Sequence, residues 1–271
     1  MKYEVLSRGD ALSGELADRF HRLAGERGLI RSATEPDVVV SIGGDGTLLE
    51  AFHMFRPSLG RVAFVGIHTG HLGFFADWKA DELEQLVACM ADIKPDGETR
   101  IVRYPLVSVE IHLQSGDRMA HEALNEVTVR RREGTLVARV DLNEQLFEMF
   151  RGDGFCISSP IGSTAYNKSL GGAIIHPTLE SIQITEMASI NNRVFRTLGS
   201  PVILPKHHVC DIIPNPGQPL AITVDHLHFH RDDVARIRCK VSDGKVSFIR
   251  YRPFPFWQRV REGFIQNGKV E

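Results

Sequence analysis

The first hundred residues alternate between short apolar runs and stretches with an apolar residue every three or four positions. Residues 2–7, 37–42 and 61–67 read as strands. Residues 13–27 read as a helix, with Leu16, Phe20 and Leu23 at intervals of four and three, as do residues 47–54 and 80–91, where Leu83, Leu86 and Val87 share one side. Such alternation predicts a parallel, doubly wound α/β sheet, in which ligands bind beyond the C-terminal ends of the strands. Near Lys94-Pro95-Asp96-Gly97 the pattern changes to period two. Residues 103–113, 120–130, 136–142, 145–150, 202–204, 210–213, 220–224, 235–241 and 245–251 then read as strands, with a hairpin at Asn143-Glu144. The expectation is an α/β domain over residues 1–97 and a β-rich, sandwich-like domain over 98–250. A tail over 251–271 follows, whose Pro253-Phe254-Pro255-Phe256-Trp257 run, with Val260 and Phe264, is expected to pack back on the first domain.

Composition narrows the function classes. The chain has 271 residues, 42% of them hydrophobic and 24% charged, which is ordinary for a globular protein. A net charge of −2 supplies no field for nucleic acid. No apolar run approaches the roughly 18–20 residues that cross a bilayer, and the start Met-Lys-Tyr-Glu-Val-Leu has no signal-peptide core. Neither nucleic acid nor membrane is expected as a partner, and a cytoplasmic location is. Cys89, Cys156, Cys210 and Cys239 are too scattered for structural zinc or a disulfide framework, so reduced packing thiols are expected.

The segment Val38-Val39-Val40-Ser41-Ile42-Gly43-Gly44-Asp45-Gly46-Thr47-Leu48-Leu49 carries the clearest chemistry. A strand, a glycine turn and a helix start bring backbone N–H groups and a helix N-terminus to an anion. A carboxylate there would repel a bare phosphate. Asp45 makes sense where it takes a proton from a hydroxyl or helps to hold a metal beside the phosphate. A second loop, Gly66-Ile67-His68-Thr69-Gly70-His71-Leu72-Gly73-Phe74, follows the next strand of the same sheet, with Phe74 as a stacking or lid residue or else a core residue.

Three further segments are polar where strands should be apolar. Asn125-Glu126 is a poor strand-forming pair; Asn can read an adenine edge with donor and acceptor together, and Glu can hold ribose hydroxyls or a metal. Gly152-Asp153-Gly154, then Ser163-Thr164-Ala165-Tyr166-Asn167-Lys168-Ser169, combine glycines, hydroxyls and a flat aromatic face. His226, His228 and His230 at period two share a face, although exposed strand histidines explain them as well as a metal does. No Gly-x-Ser-x-Gly elbow of a serine hydrolase occurs.

Together these segments resemble the NAD kinases, in their Gram-positive bacterial form. The resemblance covers nearly the whole chain. It rests on Gly43-Gly44-Asp45-Gly46-Thr47, Gly70-His71-Leu72-Gly73-Phe74, Asn125-Glu126, and Gly152-Asp153-Gly154 with Ser163-Thr164-Ala165-Tyr166. It implies phosphorylation of the 2′-hydroxyl of the adenosine ribose of NAD by ATP, with Mg²⁺ or Mn²⁺ on the donor phosphates. Asp45 would be the general base, and Gly46 would approach the dinucleotide. Phe74, Asn125, Glu126, Thr164, Ala165, Tyr166, Asn167, Lys168 and Ser169 would form the adenosine pocket. Arg151, Asp153 and Ala188 would serve the nicotinamide end from a neighbouring subunit, with His226 also at the ligand. A homodimer or homotetramer is implied. Two departures stand out: His68-Thr69 where many members have Asn and a basic residue, and Asp225-His226 where many have Asp-Gly-Gln. A lipid kinase sharing the Gly-Gly-Asp-Gly-Thr loop and a non-catalytic NAD(P)-binding sensor are the alternatives. Polyphosphate as donor, NADH as acceptor and feedback by NADP are left open.

Overall fold

The computed structural model describes residues 1–70, 73–92 and 99–265. His71 and Leu72 of the second glycine loop lie outside the described residues, as does the expected domain boundary at Lys94-Pro95-Asp96-Gly97. The chain forms two compact units: Met1–Arg103 together with Val246–Glu271, and Tyr104–Lys245.

The first unit opens with β1 (Lys2–Ser7), α1 (Ala11–Glu26), β2 (Ile30–Arg31), β3 (Val38–Gly43), α2 (Asp45–Met54), β4 (Ala63–His68), β5 (Trp78–Lys79) and α3 (Leu83–Ala91). Its strands run parallel in the order β2-β1-β3-β4, with β5 beside β4. β3 is buried along its whole length, as its unbroken apolar run requires of a central parallel strand. Alternation along the strands feeds two faces. Val38, Val40, Ile42, Val65 and Ile67 meet Leu16 and Phe20 of α1 and Leu83, Leu86 and Val87 of α3. Val39, Phe64, Leu48 and Phe52 are also fully or almost fully buried. Asp10 starts α1 by accepting the Ser13 N–H at 3.0 Å.

The second unit holds β6 (Arg100–Leu113), β7 (Arg118–Ala123), β8 (Glu126–Arg131), β9 (Leu136–Leu142), β10 (Gln145–Gly152), β11 (Gly154–Ser158), the single turn α4 (Tyr166–Ser169) and β12 (Ser181–Met187). β13 (Val202–Pro205), β14 (Val209–Pro214), β15 (Leu220–Val224), β16 (Leu227–Arg231) and β17 (Val234–Arg250) follow, before α5 (Phe256–Phe264) in the first unit. One sheet carries β10-β9-β14-β17 with β6 and β7, the other β13-β12-β11-β8-β15-β16. Inward residues of both sheets, among them Val109, Val129, Val140, Phe150, Phe155, Ile184 and Ile237, form one core. That is a sandwich by construction, since each sheet buries one face on the other.

Three segments depart from the expected pattern. The run 120–130 is two strands, because the chain turns at Leu124 and Asn125. The runs 235–241 and 245–251 are one strand, because Ser242-Asp243-Gly244 is accommodated within β17 rather than forming a turn. β11 and β12 are further strands, buried along almost their full length, with the polar Ser181, Gln183 and Thr185 of β12 buried as well as Ile182 and Ile184. The hairpin at Asn143-Glu144 is present, both residues adopting positive φ of 51° and 66°. This is the conformation that a tight two-residue β-turn demands.

Candidate active site

In the first unit the chemistry gathers at the C-terminal ends of β3 and β4, where Gly43 and His68 are paired. Asp45 is the first residue of α2. Its carboxylate accepts the Phe74 N–H at 2.9 Å and the Phe75 N–H at 3.3 Å, one on each oxygen. Burial pushes its pKa up; these two N–H bonds and the charges of Arg259 and His68 pull the other way. Gly73 must be glycine for this arrangement, since a Cβ there would stand 2.1 Å from Asp45 Oδ1. Close by, His68 Nε2 and Thr69 Oγ1 are buried with no hydrogen-bond partner among the described residues. The Phe74 ring stacks on Phe264 of α5, with centroids 5.3 Å apart.

The segment that holds Asp45 is itself clamped. Arg259 of α5 donates to Gly73 O at 3.0 Å, to Ala76 O, and to Asp77 at 3.1 Å. Arg250 also binds the Asp77 carboxylate, and all three side chains are buried. Two guanidiniums on one buried carboxylate fix residues 73–77 from the C-terminal end of the chain. Sequence reasoning missed this clamp: arginines far along the chain carry no signal of their partner.

In the second unit Asn125 and Glu126 sit where β7 turns into β8. Asp225, at the β15–β16 turn with φ of 52°, accepts the N–H groups of Leu124 and Asn125, both at 2.8 Å, and of Glu126 at 3.2 Å. Its own N–H donates to Glu126 O at 2.9 Å. The turn is braced from the other side by Ser159, whose N–H donates to Asn125 O and whose hydroxyl donates to Leu124 O. Gly162 lies so close that a Cβ would be 2.0 Å from Asn125 O. Every backbone contact thus holds the turn, and the Asn125 side-chain amide is left without a partner among the described residues. The Glu126 carboxyl accepts the Tyr166 N–H, while its Oε2 is buried with no partner among the described residues. Burial first, and then the Asp225 charge, push the Glu126 pKa up to about 7.

The remaining expected residues divide. Tyr166 is 39% exposed, which leaves it open to a flat ligand. Thr164 donates to Ile161 O, and Asn167 is buried and bonded to Ser163 O, Ala173 O and Thr185, so these side chains are committed to shaping the loop. Lys168 and Ser169 are exposed beside them, next to Ala165. His226 shares the hairpin turn with Asp225. Arg151, Asp153 and Ala188 form a separate group. Asp153 N–H donates to Met187 O, Arg151 lies 4.0 Å over the Phe195 ring, and Ala188 has φ of 44°. Glu126 pairs with Ser158 at one end of β11, whereas Asp153 precedes its other end. At ~3.3 Å per residue this separates the two groups by roughly 15 Å within one subunit.

Residues 26–92 match the ATP-NAD kinase N-terminal domain, and residues 124–251 the ATP-NAD kinase C-terminal domain. NAD kinase 1 of Bacillus cereus is 53% identical over 266 residues, covering 98% of this chain and 99% of that protein. The chain belongs to the ATP-NAD kinase family. Two solved structures share the NAD kinase fold. Yeast NADH kinase complexed with NADH aligns with a TM-score of 0.80 at 17% identity, over 100% of this chain and 90% of that one. An NAD kinase from Archaeoglobus fulgidus in complex with ATP aligns with a TM-score of 0.73 at 20% identity, over 93% and 94%. Full-length identity to an NAD kinase removes the ground for the lipid-kinase alternative. No described helix is long and apolar enough to cross a membrane.

Proposed function

We propose that this chain transfers the γ-phosphate of ATP to the 2′-hydroxyl of the adenosine ribose of NAD, with Asp45 as the general base. The observation that carries this reading is the Asp45 carboxylate. It stands at a helix N-terminus after a glycine turn, held by two N–H groups. A ribose hydroxyl is a weak nucleophile at neutral pH, so a fixed carboxylate that orients it and receives its proton speeds attack on the phosphorus. The raised pKa of Asp45 brings its basicity closer to that task. Each Asp45 oxygen accepts one N–H and keeps lone-pair capacity for a hydroxyl. Asn125, with its free amide, holds the adenine edge; Glu126, with a free Oε2, holds ribose hydroxyls; and the Tyr166 ring covers the base.

Among the described residues no three His, Cys, Asp or Glu side chains cluster as a metal cage. One carboxylate beside a phosphate loop fits Mg²⁺ or Mn²⁺ that is carried chiefly by the donor phosphates, with Asp45 as its protein contact. Such an ion neutralises charge on the transferring phosphoryl group. Arg151, Asp153 and Ala188, a group apart from the Glu126 turn, are assigned to the nicotinamide end of a dinucleotide held by a neighbouring subunit. A homo-oligomer is further supported by Leu146, Phe147 and Met149 standing exposed on the edge strand β10.

The test is NADP formation from NAD, ATP and Mg²⁺, read with an NADP-specific dehydrogenase. Wild-type turnover is expected, with Asp45→Asn lowered about 10²–10⁴-fold and NAD binding retained. Undiminished turnover in Asp45→Asn would remove the base assignment. Tight NAD binding without turnover in the wild type would favour the sensor.

A further inference from the structure

A cleft of about 600 Å³ on the second unit runs from Glu126, Asp225 and Tyr166 to a basic end formed by Arg130, Arg132, His228 and His230. The acidic and aromatic end belongs to the adenosine reading above; the basic end has no role in it. Strand registry explains why the cations converge. Arg130 and His230 both pair with Ala221, from β8 and β16 on either side of β15. Thr128 and His228 pair with Thr223 in the next row on the same face. At ~4.8 Å between strands, Arg130 and His230 stand roughly 10 Å apart across Ala221. That spacing suits a chain of two or three phosphate groups lying between them.

Two exposed guanidiniums are open to an anion here, and one buried guanidinium nitrogen lacks a partner among the described residues. Among the described residues neither Arg130 nor Arg132 has a carboxylate partner, whereas many of the protein's other arginines are paired. Arg131, which also lines the cleft, donates one N–H to Thr135 O at 2.9 Å, but its Nε is buried with no partner among the described residues. The floor adds two hydroxyls, Thr128 and Thr223, bonded to each other at 2.6 Å. Guanidinium forks, imidazoles and hydroxyls are the donors that bind phosphate oxygens, and Arg does so bidentately.

We propose that the Arg130–Arg132–His228–His230 end of this cleft is an oligophosphate-binding site, distinct from the glycine loop that carries Asp45. Two sources present this chemistry: a free oligophosphate, or the phosphate tail of a nucleotide.

Isothermal titration of the full chain with inorganic tripolyphosphate, without NAD, tests the site. The wild type should bind, more weakly as salt is raised, and Arg130→Gln/Arg132→Gln should weaken binding at least tenfold. His228→Asn/His230→Asn should weaken it as well, which keeps the test open if the arginine variant folds poorly; thermal melts check both. The same titrations with ATP separate the sources. Loss of ATP affinity in parallel identifies a nucleotide tail, and loss for tripolyphosphate alone identifies a free oligophosphate. Wild-type tripolyphosphate affinity in both variants, or no binding by the wild type at low salt, would overturn the proposal. NADP formation assayed in parallel keeps its failure distinct from failure of the kinase reading.

Discussion

Replacing Gly73 by alanine probes the proposed base, Asp45, from outside its own side chain. The added Cβ would fall 2.1 Å from Asp45 Oδ1, 2.5 Å from Cγ and 2.7 Å from Oδ2. No contact that short survives, so either the carboxylate swings aside or residues 73–75 move. Both break the bonds from Phe74 and Phe75. Hydrogen bonds to a charged group contribute about 1.5–3 kcal/mol each, and a displacement near 1 Å costs about 10²-fold in rate. A fall in kcat of about 10²-fold or more is expected, bounded by the loss in Asp45→Asn. The pH profile should move too. The two N–H bonds hold down a pKa that burial raises. Without them it rises further, less Asp45 is ionised at a given pH, and the acid limb of kcat shifts to higher pH. Adding Gly73→Ala to Asp45→Ala should change kcat little, because the colliding carboxylate is already gone. NADP formation across pH 5–9 measures all three. Wild-type kcat with an unmoved acid limb in Gly73→Ala would refute the reasoning, as would full additivity of the pair.

Three further outcomes are expected. Asp77→Ala leaves Arg250 and Arg259 buried without their carboxylate, so thermal or urea unfolding should show a loss of about 3–5 kcal/mol. Glu126 keeps its proton in the folded state to about pH 7, above the ordinary carboxylate value of 4.5. The unfolded chain releases it first, so stability falls as pH rises from about 4.5 through 7, by at most about 3 kcal/mol. Urea midpoints in Glu126→Gln should lack this component, and an identical pH dependence would contradict it. Asp225→Ala removes the acceptor of three backbone N–H groups; KM for NAD should rise about tenfold or more with a smaller change in kcat. Asp225→Asn should recover part of it, because one oxygen still accepts.

How far the sequence could be read follows from the range of each interaction. The βα alternation, the Gly43–Thr47 turn at a strand end and the Asn143-Glu144 hairpin were legible because periodicity and turn chemistry are local. β11 and β12 were not: β11 is only five residues long, and in β12 the polar Ser181, Gln183 and Thr185 between the isoleucines are buried through tertiary contacts that no local pattern announces. The 120–130 run was read as one strand because nothing near Leu124 shows that Asp225, a hundred positions later, will gather its N–H groups.

The candidate site divides in the same way. Residue type marked Asp45, Asn125, Glu126 and Tyr166, because a carboxylate in a glycine turn or a polar pair in a β segment conflicts with its surroundings. It could not separate them from Thr164 and Asn167, whose side chains turn inward to hold the loop. The sequence by itself determined the fold class and the chemical character of the glycine loop, since both rest on interactions between near neighbours. Only the tertiary structure decided what holds that chemistry in place: Phe74 and Phe75 on Asp45, Arg250 and Arg259 on Asp77, Asp225 beneath Asn125 and Glu126. Each joins positions about thirty to nearly two hundred residues apart, and a hydrogen bond across that separation exists only once the sheets have packed and their edges have met.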